Sequence, residues 1–519
     1  MWDVVFCLLP SLVLLLATVL FHWAPLRVCT MKWVWVAGQW LWARVCWYLE
    51  LPLVPETNED SGGIASPMLV CKPTALAQFL LQHCGSFAQL SPTPWPWGDP
   101  HLQTLSSLVG PLEDSAGVRF ARDHLQVRDG GVVGLDWAVG LKVDHQRGVK
   151  RHSSCPPVLI LIPNSWGRVT PHLLRLCALA LQQGFYPVVF HRRGQGDCPL
   201  VTPRFQEFGD PSDLIQAVTY IRNRHPTSAL VAVSEGSGSG LLLSYLGECG
   251  SSSYFTAAAC LSPVLQGRMW FEMPLPPLYR WAVLLYRKMQ LSRYAGALSA
   301  VTDVEQLLHC SSQRDLEAII FCSERSSGHA GISGGQREKF ANGGGGGQSK
   351  GRAVQKEWDN YWERNEPLRD ADEVAVPVLC LCSLDDPLLP PTSALPMPLF
   401  QNSPFFLLAL TPHGGHCGFA SGEEDGEQRD GAALWSHRVV LEYFQVIGDF
   451  LREEERKTKG PTGMGGSPVP RRRTKTMMPR RRRATMLKRD RPTGRPLAHL
   501  TIGPGEEQET FTWHRSYTR

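Results

Sequence analysis

Between Pro92 and about Gly448 short apolar runs alternate with amphipathic stretches. Val158–Ile162 is an unbroken apolar run stopped by Pro163, which predicts a strand buried on both faces. Leu173–Gln183 repeats its apolar residues at helical spacing and ends at Gly184, a natural helix stop. Pro187–His191 predicts a second strand, Leu214–Arg222 an amphipathic helix and Ala229–Val233 a third strand. The apolar stretch Leu241–Leu246 falls on the helix that follows it. Val376–Leu381 and Leu407–Leu410 are two later apolar runs of strand length. Strands that alternate with helices predict an α/β domain with a mostly parallel central sheet and helices on both faces.

Other stretches break this rhythm. Met269–Leu291 carries Trp270, Phe271, Tyr279, Trp281 and Tyr286 and predicts a helical cap insertion suited to an acyl ligand, or else ordinary core helix. Residues 323–354 are rich in Gly and Ser and contain Gly343–Gly347, a floppy insertion. Gly343–Lys350 does not match a phosphate loop, since the G-x-x-x-x-G-K-[ST] spacing and a preceding strand are both missing. Val4–Phe21 is uncharged and about one bilayer long, which predicts a signal anchor or, alternatively, a cleaved signal peptide and a secreted product. Trp33, Trp35, Trp40, Trp42 and Trp47 follow it and suit a membrane interface or a helix packed under the domain. The expected organisation is an anchor and Trp-rich segment over 1–50, a connector over 51–90, an α/β domain over 91–450 and a disordered tail over 451–519.

Composition refines this picture. Of the 519 residues, 43% are hydrophobic and 19% charged, ordinary values for a globular chain. The net charge of +4 hides a basic block at 471–491 with eleven Lys/Arg and one Asp, so the remainder is mildly acidic. Such a block suits anionic lipid, an import-like signal or nucleic acid, and nucleic acid is the weakest of the three because no aromatic residues interleave it and no binding fold accompanies it. Arg482-Arg483-Ala484-Thr485 also resembles a basophilic kinase site. The fifteen cysteines are scattered, and those in core strands and helices read as buried reduced thiols. No metal or organic cofactor is implied.

Three loops carry candidate chemistry. Asp385-Asp386-Pro387 follows a strand, where open α/β sheets place ligand-facing groups, although Asp-Asp-Pro is also a good turn starter. Thr411-Pro412-His413-Gly414-Gly415-His416-Cys417-Gly418-Phe419 follows another strand, with glycines that free the backbone to present His416. Ala232-Val233-Ser234-Glu235-Gly236-Ser237-Gly238-Ser239-Gly240 spans a strand-to-helix turn. A nucleophile elbow needs small residues two before and two after its serine. Ser237 has Glu235 before it and Ser239 has Leu241 after it, so local sterics leave Ser234 as the nucleophile.

Together these loops resemble the α/β-hydrolase superfamily, and within it the membrane-anchored branch of lipid-ester hydrolases known as AB hydrolase family four. The branch's Asn-Pro-His-Leu-Gln-Thr stands here as Asp99-Pro100-His101-Leu102-Gln103-Thr104, its Asn-Arg-Gly as Arg192-Arg193-Gly194, and Thr202-Pro203-Arg204-Phe205 matches its next motif. The resemblance implies an α/β-hydrolase fold, with Asp386 (or Asp385) as acid and His416 as base in a Ser–His–Asp charge relay. It implies oxyanion donors near Ser165 and Trp166, in Pro163-Asn164-Ser165-Trp166-Gly167. It conflicts with local sterics at the nucleophile, because the ungapped family register puts Gly236, not Ser234, at the elbow. The implied function is hydrolysis of a lipid or other carboxylic ester. The alternative is an inactive pseudo-hydrolase that serves as scaffold or regulatory partner. The expected partners are a lipid or acyl-ester ligand, a membrane surface and, for a pseudoenzyme, another protein; nucleic acid is not expected.

Overall fold

A computed structural model describes residues 24–52, 67–109 except 89, 91–92 and 94, 118–140, 155–299 except 166, 302–322, 346–420 and 434–459, with Val13, Leu15 and Thr18 besides. The expected anchor Val4–Phe21 apart from those three positions, Trp166, most of the Gly-rich insertion and the basic tail lie outside the described residues.

Among the described residues nine strands form one sheet: β1 (Met68–Val70), β2 (Val118–Gln126), β3 (Val132–Gly140), β4 (Val158–Ile162), β5 (Tyr186–His191), β6 (Leu230–Glu235), β7 (Phe255–Leu261), β8 (Val378–Ser383) and β9 (Phe406–Thr411). Their spatial order is β1-β9-β8-β7-β6-β4-β5-β3-β2. The six strands β4 to β9 run parallel, while β3 and β2 extend one edge antiparallel and β1 pairs antiparallel with β9 at the other. The expected connector therefore contributes to the domain, because β1 and the helix Ala75–His83 both lie within it.

The continuous apolar strands are explained by two-sided burial. Leu159, Leu161, Val231, Val233, Leu379 and Leu381 pack on one face with the helices Pro171–Gln182 and Trp435–Lys459. Val158, Ile160, Ala232, Cys260, Cys380 and Cys382 alternate with them and pack on the other, against Ser212–Arg224 and Ser239–Cys249. Cys260, Cys380 and Cys382 thus act as small core side chains, and the described cysteines are free thiols.

Between β7 and β8 the chain builds the cap expected from Met269–Leu291. The helices Pro277–Ser292, Gln313–Phe321 and Gly346–Asn365 belong to it. Its centre is an aromatic cluster of Trp270, Phe271, Trp358, Tyr361 and Trp362, which packs on Phe208 from the segment between β5 and β6. The last of these helices begins inside the stretch expected to be a floppy insertion. Between β4 and β6 the strand order reverses, since β5 lies on the far side of β4. Loops leaving the carboxyl ends of β4 and β6 diverge there and open the crevice in which such sheets place their sites.

Candidate active site

Asp386 follows β8, and its Oδ2 accepts a 2.9 Å hydrogen bond from His416 Nδ1. Its Oδ1 accepts from the Leu388 amide at 2.9 Å, which fixes the carboxylate in the turn. Asp385, the alternative acid, faces elsewhere. Its Oδ1 accepts from the Gly415 amide at 2.9 Å and from Ser383 Oγ, and its Oδ2 lies 3.2 Å from His413 Nδ1. One carboxylate therefore orients the His416 ring while its neighbour ties down the loop that carries it.

The Asp99–Thr104 motif has a physical task here. Asp99 Oδ1 caps the helix Pro100–Val109 by accepting from the His101 and Leu102 amides. That helix presents Thr104 Oγ1 to the His416 amide at 2.9 Å and Ser107 Oγ to the His416 carbonyl at 2.7 Å. Gly415 has φ +54°, and a Cβ there would lie 2.5 Å from the Pro100 carbonyl oxygen. The loop approaches the helix too closely for any other residue. Burial opposes charge on His416, but the Asp386 carboxylate and Cys417 together hold its pKa well above the ordinary value.

The elbow decides between the two registers. β6 runs through Ser234 and Glu235, with Ser234 paired in register with Ile162 and Cys260. Ser234 is fully buried, and its Oγ has no hydrogen-bond partner among the described residues. It is not brought to His416, so the steric choice of Ser234 as elbow nucleophile is corrected. The sharp turn falls two residues later, at Gly236 (φ +50°), where β6 meets the helix Ser239–Cys249 through one tight turn. A Cβ built on Gly236 would lie 2.8 Å from His416 Nε2. The imidazole thus faces an elbow position that has no side chain. Local sterics failed because the last strand residue is set by pairing with β4 and β7, which neighbouring residues do not reveal.

The remaining serines of the turn hydrogen-bond to neighbouring segments. Ser239 Oγ donates to the Gly236 carbonyl at 2.7 Å and accepts from the Val264 amide at 2.9 Å. Ser237 Oγ accepts from the Ser165 amide at 2.9 Å and lies 2.8 Å from Ser165 Oγ. Ser165 was expected to offer its amide to an oxyanion, and that amide is instead occupied by Ser237. Glu235 is buried behind the turn, where Thr170 Oγ1 donates to it at 2.8 Å and His172 Nδ1 lies 3.6 Å away. Burial pushes its carboxyl up to about 7.

Asn164, Ser237, Trp270, Leu388 and His416 help to line a cavity of about 10 Å³, room for about one water. Cap residues Val283 and Gln313 close it from above. Trp270 Nε1 donates to the Leu388 carbonyl at 2.9 Å, pinning the cap to the acid loop. Ser237 is the wall residue that sequence reasoning set aside, since its contact with Ser165 joins segments far apart in the chain. Among the described residues no group of three or more His, Cys, Asp or Glu is arranged to hold a metal ion.

No family model matches the chain. Individual relatives do. The chain is 46% identical over 454 residues to Protein ABHD15 of Homo sapiens, covering 87% of this chain and 85% of that protein. It is 26% identical over 362 residues to Phospholipase ABHD3 of Bos taurus, covering 69% and 79%. To Monoacylglycerol lipase ABHD2 of Danio rerio it is 23% identical over 410 residues, covering 75% and 85%. With a relative this similar along most of its length, and with a sheet whose switch point gathers the acid loop, the histidine loop and the elbow turn, the chain belongs to the α/β-hydrolase family.

Proposed function

We propose that this protein is a hydrolase-fold binding protein without serine nucleophile chemistry, acting as a scaffold or regulatory partner. One observation carries the reading: Gly236 occupies the elbow at φ +50°, and His416 Nε2 faces its missing side chain at 2.8 Å from a built Cβ. Loss of a triad nucleophile costs on the order of 10⁶ in rate. Two further features support it. The Ser165 amide is engaged by Ser237 Oγ, and the cavity at His416 has room for about one water. The relatives named as a phospholipase and a monoacylglycerol lipase make a lipid or acyl ester the ligand class of this reading.

A second reading, hydrolysis of a carboxylic ester, is favoured by the intact Asp386–His416 pair. Water would then stand where the serine side chain is missing. Its oxygen would add to the acyl carbon as His416 Nε2 takes its proton, and the same proton would pass to the departing alkoxide.

Exposed Trp33, Trp40 and Trp47 on the helix Ala24–Tyr48 support a membrane surface as a further partner. Among the described residues no helix is long and apolar enough to cross a membrane.

Fluorophosphonate labelling and p-nitrophenyl butyrate turnover test the choice, with wild type, His416→Ala and Ser234→Ala side by side. The binding-protein reading expects no labelling of folded wild type and no turnover above that of His416→Ala. Labelling of wild type that disappears in Ser234→Ala would overturn it. Unlabelled wild type with His416-dependent turnover would establish the water reading instead.

A further inference from the structure

Arg192 and Arg193 follow β5 side by side, yet their surroundings differ. Arg193 is fully answered: Nε and Nη2 each donate to an Asp213 oxygen at 2.6 Å, and Nη1 donates to Asp129 Oδ2 at 2.5 Å. Arg192 is equally buried, with 6% of its surface exposed. Among the described residues its Nη1 reaches only the carbonyls of Glu207 and Phe208, both at a long 3.4 Å. Among the described residues its Nη2 has no hydrogen-bond partner and no carboxylate lies within 4.0 Å of the group. The nearby Arg287 is already paired with Glu317 at 2.9 Å. Burial lowers the Arg192 guanidinium only to about 10, so it is charged at neutral pH. A buried cation without a close counter-charge is strongly unfavourable unless an anion answers it.

A second orphan faces the same space. Gln206 Nε2 donates to the Asp210 carbonyl at 2.7 Å, which fixes the amide orientation and leaves the buried Oε1 without a donor among the described residues. Both residues line a cavity of about 50 Å³ between the end of β5 and the cap helices, separate from the cavity at His416. Arg192, Arg193 and Arg287 are its charged residues, and no Asp or Glu lines it among the described residues. Leu291 and Phe321 give it an apolar flank.

We propose that this cavity is a binding site for a phosphate monoester, whose anionic oxygens accept from Arg192 and whose hydroxyl donates to Gln206 Oε1. The volume suits a headgroup, not an acyl chain. The site stands independently of whether His416 supports catalysis. A small soluble phosphate and the head of a single-chain lipid offer the same chemistry, and the two are separable by experiment.

The test is isothermal titration and thermal denaturation of the full chain with two probes. One is glycerol 3-phosphate; the other is 1-oleoyl lysophosphatidic acid below its micelle concentration. Sulfate at matched ionic strength is the control. Wild type is expected to bind at least one probe more tightly than sulfate, and Arg192→Met to weaken that binding tenfold or more. Binding of both probes identifies the shared headgroup; binding of the lipid alone identifies a lipid-borne phosphate. Arg192→Met removes a charge that has no carboxylate partner, so it is expected to be at least as stable as wild type without ligand. Gln206→Leu is a second variant, expected to weaken binding while leaving Arg192 in place. Failure of wild type to prefer either probe over sulfate overturns the proposal, as does undiminished affinity in folded Arg192→Met.

Discussion

Gly236→Ser returns a hydroxyl to the position that His416 faces, and its consequences can be worked from the geometry. The new Cβ starts 2.8 Å from His416 Nε2, whereas ordinary contact begins near 3.4 Å, so the imidazole must withdraw by about 0.6 Å. That is feasible for a ring held at Nδ1 by Asp386. A serine at φ +50° costs about 1–2 kcal/mol of backbone strain, and the variant should be less stable by about that amount. The chemical gain is bounded above by the order of 10⁶ that a triad nucleophile supplies. It should fall short of this by roughly 10²–10³, the effect of one missing oxyanion donor, because Ser237 Oγ holds the Ser165 amide. Gly236→Ser/Ser237→Ala frees that amide and should recover much of the shortfall. The assay is the rate of fluorophosphonate labelling, with urea denaturation to verify folding. Gly236→Ser is expected to label slowly, the double variant faster, and both to lose labelling with His416→Ala. If both variants fold and neither labels, the elbow assignment is refuted. Labelling that persists without His416 refutes the role given to the imidazole.

Further predictions follow from the buried groups. Glu235 has a folded pKa raised from 4.5 to about 7, so the folded state holds its proton longer; stability should fall as pH rises between these values. Glu235→Gln should flatten that part of the profile in urea titrations from pH 4.5 to 8, and an unchanged slope would contradict the assignment. His416 has the opposite linkage, because a raised folded pKa in a base stabilises the protonated form. Its contribution is present below about 6.5 and lost as pH rises through the elevated folded value. The stability difference between wild type and His416→Gln should therefore shrink at alkaline pH, and a difference independent of pH would count against it. Thr104→Val removes the acceptor for the buried His416 amide and should cost about 1–3 kcal/mol in thermal or urea denaturation. In the Gly236→Ser background it should also slow labelling, and an unaffected rate would mean that the helix does not position the loop.

Much of the fold was legible in the linear pattern because the strands are buried on both faces. Val158–Ile162 was expected with the bounds the structure gives, and Pro187–His191 fell one residue short of β5. Pro163 and Gly184 end their elements by local backbone chemistry, which needs no tertiary context. The β2–β3 hairpin and β1 went unread. β1 has three residues and exists through its pairing with β9, at the other end of the domain sequence. The candidate site divides the same way. Asp385, Asp386 and His416 stand beside strand ends, so their neighbourhood was visible, but only packing separated the carboxylate that meets the imidazole from the one that holds its loop. The elbow shows the limit most clearly. The sequence by itself determined that the turn is built from small residues, which satisfy its local steric demand at more than one position. Tertiary structure decided which residue stands at the turn, because pairing with β4 and β7 carries Ser234 and Glu235 into β6 and leaves Gly236 opposite a histidine from a distant loop. Chain-local preferences act over a few residues, whereas a catalytic contact is set by the packing of segments far apart in the chain.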